Sequence, residues 1–141
     1  MRPDAWLGEG YYFWDDLEDA IIWGSNSKMR TGHYEIYISE INTENILDTV
    51  FNEEHYRFWV TQIEKAGKAI FKRTQRKATI KLLNDYFKER GMWDEVDGIR
   101  YQDIPENDDY VYVTGFYYRK RIQLVAYKLN IITSFDFHQE G

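Results

Sequence analysis

The segment GEGYYFWDD at residues 8 to 16 contains residue types that can bind a flat ligand. Gly8 and Gly10 flank Glu9, and four aromatic side chains follow in a row at 11 to 14. Glycine lets the backbone approach a ligand closely, and aromatic rings offer it stacking faces. Glu9 is either a solvated loop acid or a group near the ligand, and the sequence leaves that choice open.

Positive charge is concentrated in two places, although the chain carries a net charge of −6. Residues 65 to 81 hold seven Lys or Arg and no acid. If residues 65 to 76 are helical, four of these cations form one stripe, at Lys65, Lys68, Lys72 and Arg76. The stripe is either a surface for a phosphate-bearing or acidic partner or a solvated face opposite an apolar one. Because the whole chain is acidic, nucleic-acid binding is possible but not favoured.

The second basic cluster, Arg119-Lys120-Arg121, ends two residues before Gln123. Guanidinium groups bind phosphate oxygens through paired hydrogen bonds. This cluster is therefore placed to meet the phosphate groups of a ligand, if one binds. Arg100 in the GIRY segment and Asp103 just after it can equally form a surface ion pair of little energetic weight.

Composition excludes several classes of site. The absence of cysteine rules out disulfides, thiol nucleophiles and cysteine-ligated zinc. The histidines, His33, His55 and His138, are too scattered for a metal site to be predicted. No apolar run is long enough for a membrane helix, and the N-terminal MRPDAW lacks the features of a secretory signal. We therefore expect a cytoplasmic protein with no membrane partner.

The order of predicted elements indicates a single α+β domain spanning residues 1–141. No linker or repeat marks a boundary, and one compact core is expected at this length. Aromatic content predicts a strand over 11–14, followed by a helix with Asp15 as its N-cap and Gly24 as its end. Alternation predicts a strand over 33–41, which residues 46–50 extend or pair with.

Two helices and a run of strands follow. Asn52 caps the first helix, and the second begins at about Thr74 and ends at Gly91. Four β-rich stretches then complete the chain, at 98–104, 110–118, 121–129 and 130–137.

The opening motif and the stretches after it resemble a known superfamily. Gly10-Tyr11-Tyr12-Phe13-Trp14-Asp15, with Ala20 in the next helix, resembles the Gly-x-Tyr-Phe-x-Asp…Ala segment of ADP-ribosyltransferases. This fold is shared by poly(ADP-ribose) polymerases and many bacterial toxins. WLGEGYYFWDD is similar to the Trp-Leu-Gly-x-Gly-x-Tyr-Phe-Trp-Glu signature of small bacterial members. Later stretches resemble the superfamily in the same order, namely QRKATIKLLNDYF, VDGIRY and GFYYRKRIQLVAYKLNII.

This resemblance implies that the protein binds NAD as its substrate. It implies that Tyr12 stacks on the nicotinamide and that Gln123 occupies the position of the acid that holds the nicotinamide-ribose hydroxyls. Gly10 would let the backbone approach the ligand. Arg119 and Arg121 would meet the pyrophosphate.

Two features depart from the superfamily pattern. The amide of Gln123 can hydrogen-bond a ribose hydroxyl, but it brings no charge to an oxocarbenium-like transition state and cannot act as a general base. The superfamily's first core strand should precede the opening motif, whereas only residues 1–5 precede Trp6. We expect that this chain has lost that strand, or that another segment or a partner chain supplies it. An open sheet edge would favour strand pairing or a homo-oligomer.

Two functional hypotheses follow from the resemblance. The first is NAD-dependent ADP-ribosyl transfer to a macromolecular target by a bacterial or phage effector of the toxin-like kind, with Tyr12 and Gln123 as catalytic residues. The second is a catalytically impaired ADP-ribosyltransferase-like protein that acts as a protein-interaction module. Both imply two small opposed β-sheets with a helical insertion around residues 52–91.

Overall fold

The computed structural model describes residues 7, 10–103 and 121–141 of the chain. The strand predicted over 110–118 lies outside these residues. The described helices and strands are β1 (Tyr11–Trp14), α1 (Leu17–Thr31), β2 (Glu35–Ile41), β3 (Ile46–Asp48), α2 (Glu53–Thr74), α3 (Ile80–Glu89), β4 (Gly98–Asp103), β5 (Arg121–Ala126) and β6 (Ile132–Glu140). The predicted α+β class is confirmed.

The strands form two small sheets. The larger sheet has the order β1-β5-β4-β3, and the smaller one consists of β2 and β6. β5 is antiparallel to β1 and β4, whereas β3 runs parallel to β4. Residues 46–50 were expected to extend β2 or pair with it. That prediction is wrong, because the short β3 joins the other sheet and pairs with β4. Within the described residues, β1 lies at an edge of the larger sheet.

The first face of the larger sheet is covered by the helices. Side chains alternate along a strand, so Leu47, Ile99 and Val125 point to this same face. They join the main apolar cluster of the protein. The helical insertion contributes Trp59 from α2 and Phe87 from α3 to that cluster. These packed aromatic side chains hold α2 and α3 on the sheet.

The second face of the larger sheet packs against residues that adjoin the smaller sheet. Leu124 and Ala126 form a separate buried cluster there with Ile131, which lies just before β6. Ile41 at the end of β2 and Ile132 at the start of β6 pack against the same cluster. This cluster joins the two sheets.

The start of α1 differs from the prediction by one residue. Asp16 rather than Asp15 is the N-cap, because its Oδ1 accepts a hydrogen bond from the backbone N–H of Glu18 at 2.9 Å. The backbone N–H of Asp15 instead donates to the carbonyl of Ile122 at 3.0 Å. That bond prolongs the pairing of β1 with β5 and leaves the Asp15 side chain free of the cap.

The end of α1 also differs from the prediction. The helix runs through Gly24 and ends at Gly32, which adopts the left-handed conformation with φ of 78°. Gly24 is buried, and a Cβ built on it would lie 2.7 Å from the ring of Tyr34. The close approach of the Tyr34 ring explains why residue 24 is a glycine, so Gly24 does not mark the end of the helix.

The helical insertion lies within the range expected from the sequence. Asn52 is the N-cap of α2, and its Oδ1 accepts a hydrogen bond from the backbone N–H of His55 at 3.1 Å. α2 extends to Thr74, so the next helix begins later than expected, at Ile80, where Thr79 is the N-cap. Among the helices described, none combines the length and the apolar character needed to cross a bilayer.

Candidate functional site

A cleft of about 650 Å³ opens between β1, α1 and β2. β1 contributes Tyr12, Phe13 and Trp14 to its lining. Arg100 of β4 and Gln123 of β5 also line it. Small-molecule sites in proteins are usually concave spaces of about 300–1,000 Å³ with aromatic walls and a few polar groups. This cleft has that character.

The pairing of β1 with β5 brings the two predicted catalytic residues close together. Trp14 lies opposite Gln123 and Tyr12 lies opposite Val125, so Tyr12 is a diagonal neighbour of Gln123 on the same sheet face. A shift of one residue in this register would move Tyr12 to the other face. Tyr12 and Gln123 both line the cleft. Their roles towards NAD stay predictions.

Gln123 is held in place by a neighbouring hydroxyl. The residue is only 6% exposed, and its Oε1 accepts a hydrogen bond from the hydroxyl of Tyr101. Tyr101 lies directly opposite on β4. A buried amide oxygen without a partner would cost about 1–3 kcal/mol, so the Tyr101 hydroxyl makes glutamine tolerable at this position. The bond also orients the amide, because it turns the Oε1 atom of Gln123 towards Tyr101.

Tyr12 lies between the apolar core and the cleft. It is half-buried and packs against the main apolar cluster while it also lines the cleft. Burial raises the pKa of the nearby Tyr127 hydroxyl far above its ordinary value, and Tyr12 raises that pKa further. The Tyr127 hydroxyl donates a hydrogen bond to the carbonyl of Leu7 at 2.9 Å. Because Tyr12 lies opposite Val125, its side chain belongs to the same sheet face as Val125 and the main apolar cluster.

Gly10 is buried against β5. A Cβ at Gly10 would lie 2.7 Å from Cγ1 of Val125 and 3.1 Å from the carbonyl oxygen of Ala126. Packing alone therefore requires a glycine here. The role beside the ligand that the resemblance implies for Gly10 stays a prediction.

The two arginines expected to meet a pyrophosphate differ in what the structure describes. Arg119 lies outside the described residues. Arg121 is the first residue of β5 and is half-buried. Its guanidinium carbon lies 5.8 Å from the ring centroid of Trp14, which lines the cleft. Arg121 is thus next to the cleft wall and packs against an aromatic ring there.

A charged cluster that was not predicted from the sequence lines the same cleft. Arg100 Nε lies 3.2 Å from Asp15 Oδ2, and Arg100 Nη1 lies 2.9 Å from Asp48 Oδ2. Arg100 and Asp15 both line the cleft. Proximity along the chain had suggested Asp103 as the partner of Arg100, but the structure provides two carboxylates from distant segments. The one signal in the sequence is the adjacent pair Asp15-Asp16, of which a single residue can cap α1.

The two carboxyl groups of this cluster have different acidities. The pKa of Asp15 is raised, mainly because the carboxyl group is partly buried. The positive charge of Arg100 acts to lower this pKa, and the negative charge of Asp48 acts to raise it. Burial also acts to raise the pKa of Asp48, but hydrogen bonds from the backbone N–H groups of Phe51 and Val50 and from Arg100 outweigh it. The pKa of Asp48 is therefore lowered. The ionised Asp48 pairs with Arg100, and Asp15 is the more basic of these two carboxylates.

The basic stripe is shorter than the sequence suggested. α2 ends at Thr74, so Arg76 lies beyond the helix. Lys65, Lys68 and Lys72 are exposed on α2, whose buried side includes Trp59. The three lysines occupy the solvated side of an amphipathic helix, and a role in binding a partner stays a prediction.

Among the described residues, one group of side chains has the composition of a metal site. The ligand atoms of His33, Glu35 and Glu140 all lie within 4.8 Å of one another. Nε2 of His33 is 3.6 Å from a Glu35 oxygen and 3.7 Å from a Glu140 oxygen. All three residues are exposed, and exposed carboxylates commonly lie close together without a metal ion. The scattered histidines of the sequence had not suggested this grouping.

Tyr12, Gln123 and Asp15 all line the cleft. By alternation, the side chains of Tyr12 and Gln123 belong to the sheet face of Val125, whereas Asp15 pairs with Arg100, which belongs to the face of Leu124. Together these groups can stack on a flat ring, hydrogen-bond a hydroxyl and accept a proton. No family model, no curated protein and no solved structure matches this chain.

Proposed function

We propose that the protein has an ADP-ribosyltransferase-like fold and transfers ADP-ribose from NAD to a macromolecular target. The observation that carries this proposal is the position of Tyr12 and Gln123, which are diagonal neighbours in the sheet and line one cleft. The resemblance had assigned these two residues, far apart along the chain, to one site. The volume and aromatic lining of the cleft also suit a small flat ligand.

The reaction breaks the bond between nicotinamide and the ribose C1 carbon and forms a bond from that carbon to a nucleophile of the target. Neutral nicotinamide leaves, one proton is released from the nucleophile, and nothing is oxidised or reduced. Positive charge develops on the ribose as the first bond weakens, so a nearby anion accelerates the step. Gln123 cannot provide that anion, because its side chain is neutral.

In this proposal Asp15 provides the negative charge that Gln123 lacks. Its carboxylate lines the cleft and is held by Arg100 at 3.2 Å. Its raised pKa makes it a better proton acceptor than an ordinary aspartate, so it also suits deprotonation of the target nucleophile. In the proposal, NAD binds across the edge strand β1, so that Tyr12 stacks on the nicotinamide and Gln123 uses its amide NH₂ group to hold a ribose hydroxyl on one sheet face, while Asp15 approaches from the other. The Tyr101 hydroxyl already donates a hydrogen bond to Gln123 Oε1, so the NH₂ group is the part of the amide assigned to the ribose hydroxyl.

One observation favours the second hypothesis, a protein-interaction module. Gln123 is buried and already bonded to Tyr101, and Tyr12 packs against the core, so both residues also have structural reasons to be present. A chain that kept the fold and lost the reaction would retain both. The measurement of nicotinamide release separates the two hypotheses.

The test of the proposal is incubation of the purified protein with NAD labelled in its adenosine diphosphate part and a bacterial lysate. We expect labelled protein or nucleic acid and stoichiometric release of nicotinamide. Tyr12→Ala should lower the rate about tenfold or more, because stacking positions the leaving group. Tyr11→Ala is the matched control on the same strand, and its side chain belongs to the opposite face. Absence of both products, or equal rates for the two variants, would contradict this site.

Asp15→Asn tests the assignment of the carboxylate. We expect the rate of nicotinamide release to fall about tenfold or more, and the acid limb of the pH–rate profile to disappear, while NAD affinity changes little. Asp16→Asn is the control, since Asp16 caps α1. A profile of Asp15→Asn that keeps the wild-type acid limb would exclude Asp15 as the titrating group.

A further inference from the structure

The smaller sheet exposes three aromatic rings that pack on one another. Tyr37 of β2 stacks on Phe135 of β6 with ring centroids 4.6 Å apart and planes inclined by 9°, and it meets Phe137 edge-on at 5.8 Å. Tyr37 is opposite Phe137 in the register, and Ser39 is opposite Phe135, so these side chains share one face. Exposures of 41% for Tyr37, 61% for Phe135 and 57% for Phe137 show that little covers them.

Glu35 brings negative charge to the edge of this aromatic face, whereas Glu40 and Asp136 alternate to the other face of the smaller sheet. β2 and β6 contain four carboxylates and no Lys or Arg, the acids being Glu35, Glu40, Asp136 and Glu140. The hydroxyl of Tyr37 donates a hydrogen bond to Glu35 at 2.7 Å, which ties one carboxylate to the edge of the rings. This hydrogen bond lowers the pKa of Glu35, and His33 lowers it further. Glu35 is therefore firmly ionised at neutral pH. We call Tyr37, Phe135, Phe137 and Glu35 the aromatic–acidic face.

Exposed aromatic rings with adjacent carboxylates select a cation. Ring faces attract cations through their quadrupole, and a carboxylate beside the ring adds a charge-assisted hydrogen bond. A guanidinium suits this arrangement better than an ammonium, because it is planar, stacks on rings and is less strongly hydrated. Contiguous exposed aromatic rings on a soluble protein are typical of a protein-binding surface.

We propose that the aromatic–acidic face binds an arginine-bearing basic segment of a partner protein. The guanidinium groups stack on Phe135 and Phe137 and pair with Glu35. Tyr37 and Phe135 also line the cleft that contains Tyr12, so a segment bound here lies at the rim of that cleft. The proposal does not depend on NAD chemistry, because it concerns binding alone.

The test uses the full chain and a fluorescein-labelled arginine-rich peptide, with binding followed by fluorescence anisotropy in the absence of NAD. Citrulline keeps the planar shape of the arginine side chain and removes its charge, so a peptide with citrulline at every arginine position is the ligand control. We expect the arginine peptide to bind and the citrulline peptide to bind about tenfold more weakly or not at all. A lysine peptide should lie between them.

Variants of the face locate the site. Phe135→Ala should weaken binding about tenfold, and Glu35→Gln should weaken it about threefold. The matched controls are Met29→Ala, an apolar residue of α1 that is 88% exposed, and Glu64→Gln, an exposed carboxylate of α2. Both controls should bind as the wild type does. Circular dichroism of each variant shows that the chain has folded.

Three outcomes would overturn the proposal. The first is equal binding of the arginine and citrulline peptides, which would mean that charge plays no part. The second is a loss of affinity as large in Glu64→Gln as in Glu35→Gln, which would indicate attraction to the net charge alone. The third is a dimer in sedimentation velocity that Phe135→Ala dissociates, because the face would then be occupied by a second copy of this chain.

Discussion

At the scale of single residues, the most informative group is Arg100 between Asp15 and Asp48. The Arg100 side chain is 21% exposed, and its guanidinium contacts both carboxylates. Asp48 also accepts hydrogen bonds from the backbone N–H groups of Val50 at 3.0 Å and Phe51 at 2.9 Å. Asp48 thus connects β4 to the turn that leads into α2. Removal of its charge should weaken that whole connection.

Asp48→Asn should lower the free energy of unfolding at neutral pH by roughly 1–3 kcal/mol, the usual effect of losing charged hydrogen bonds. The pKa of Asp48 is lowered in the folded state, so its stabilisation is present above the ordinary aspartate pKa and is lost as pH falls through the folded value. The difference between wild type and variant should therefore shrink on acidification. Denaturant unfolding of both proteins at a series of pH values measures this. A difference that stays constant into strongly acidic solution would contradict the assignment.

At the scale of secondary-structure elements, two helical glycines serve different purposes. Gly24 in α1 lies against the ring of Tyr34, whereas a Cβ at Gly67 in α2 would meet no atom within 4 Å. Alanine favours helix more than glycine by about 0.8–1.0 kcal/mol at an unobstructed position. The space around each residue therefore decides the sign of the substitution.

Gly67→Ala should raise the free energy of unfolding by about 0.5–1 kcal/mol, because nothing opposes the gain in helix propensity. Gly24→Ala should lower it by about 1–3 kcal/mol, since the added methyl group would be 2.7 Å from the Tyr34 ring. Equilibrium unfolding in urea compares the two variants directly. Stabilisation by both would show that the Tyr34 ring moves aside without cost.

At the scale of the whole molecule, one aromatic cluster joins the helical insertion to the sheet. Trp59, Phe87 and Trp93 have ring centroids 5.7 to 6.0 Å apart, and all three are buried. The same cluster includes Ile99 of β4 and Val125 of β5, which are fully buried. The helices and the larger sheet therefore share one core.

Phe87→Ala should lower the free energy of unfolding by about 3–5 kcal/mol, the usual cost of deleting a buried aromatic side chain. Because the core is shared, helix content and tryptophan fluorescence should be lost together in one transition. Phe71→Ala is the control, since Phe71 of α2 is 46% exposed, and it should change stability by less than about 1 kcal/mol. Separate transitions for the two signals would mean that the insertion unfolds on its own.

The sequence by itself determined those features that depend on neighbouring residues. The aromatic strand at Tyr11–Trp14, the cap at Asn52 and the α+β class were predicted correctly, because strand propensity, capping hydrogen bonds and helical periodicity act over a few residues. The assignment of Tyr12 and Gln123 to one site also came from the sequence, through a resemblance, and their roles stay predictions.

Only the tertiary structure decided the features that depend on segments distant in the chain. β3 pairs with β4 instead of β2, and α1 continues past Gly24, where the Tyr34 ring packs against the glycine. Arg100 pairs with Asp48, which is 52 residues away in the chain. It also assembled the aromatic–acidic face from two strands at different points of the chain. The physical reason is that a local pattern states which side chains favour burial or charge pairing, whereas the choice of partner depends on which segments the folded chain brings together.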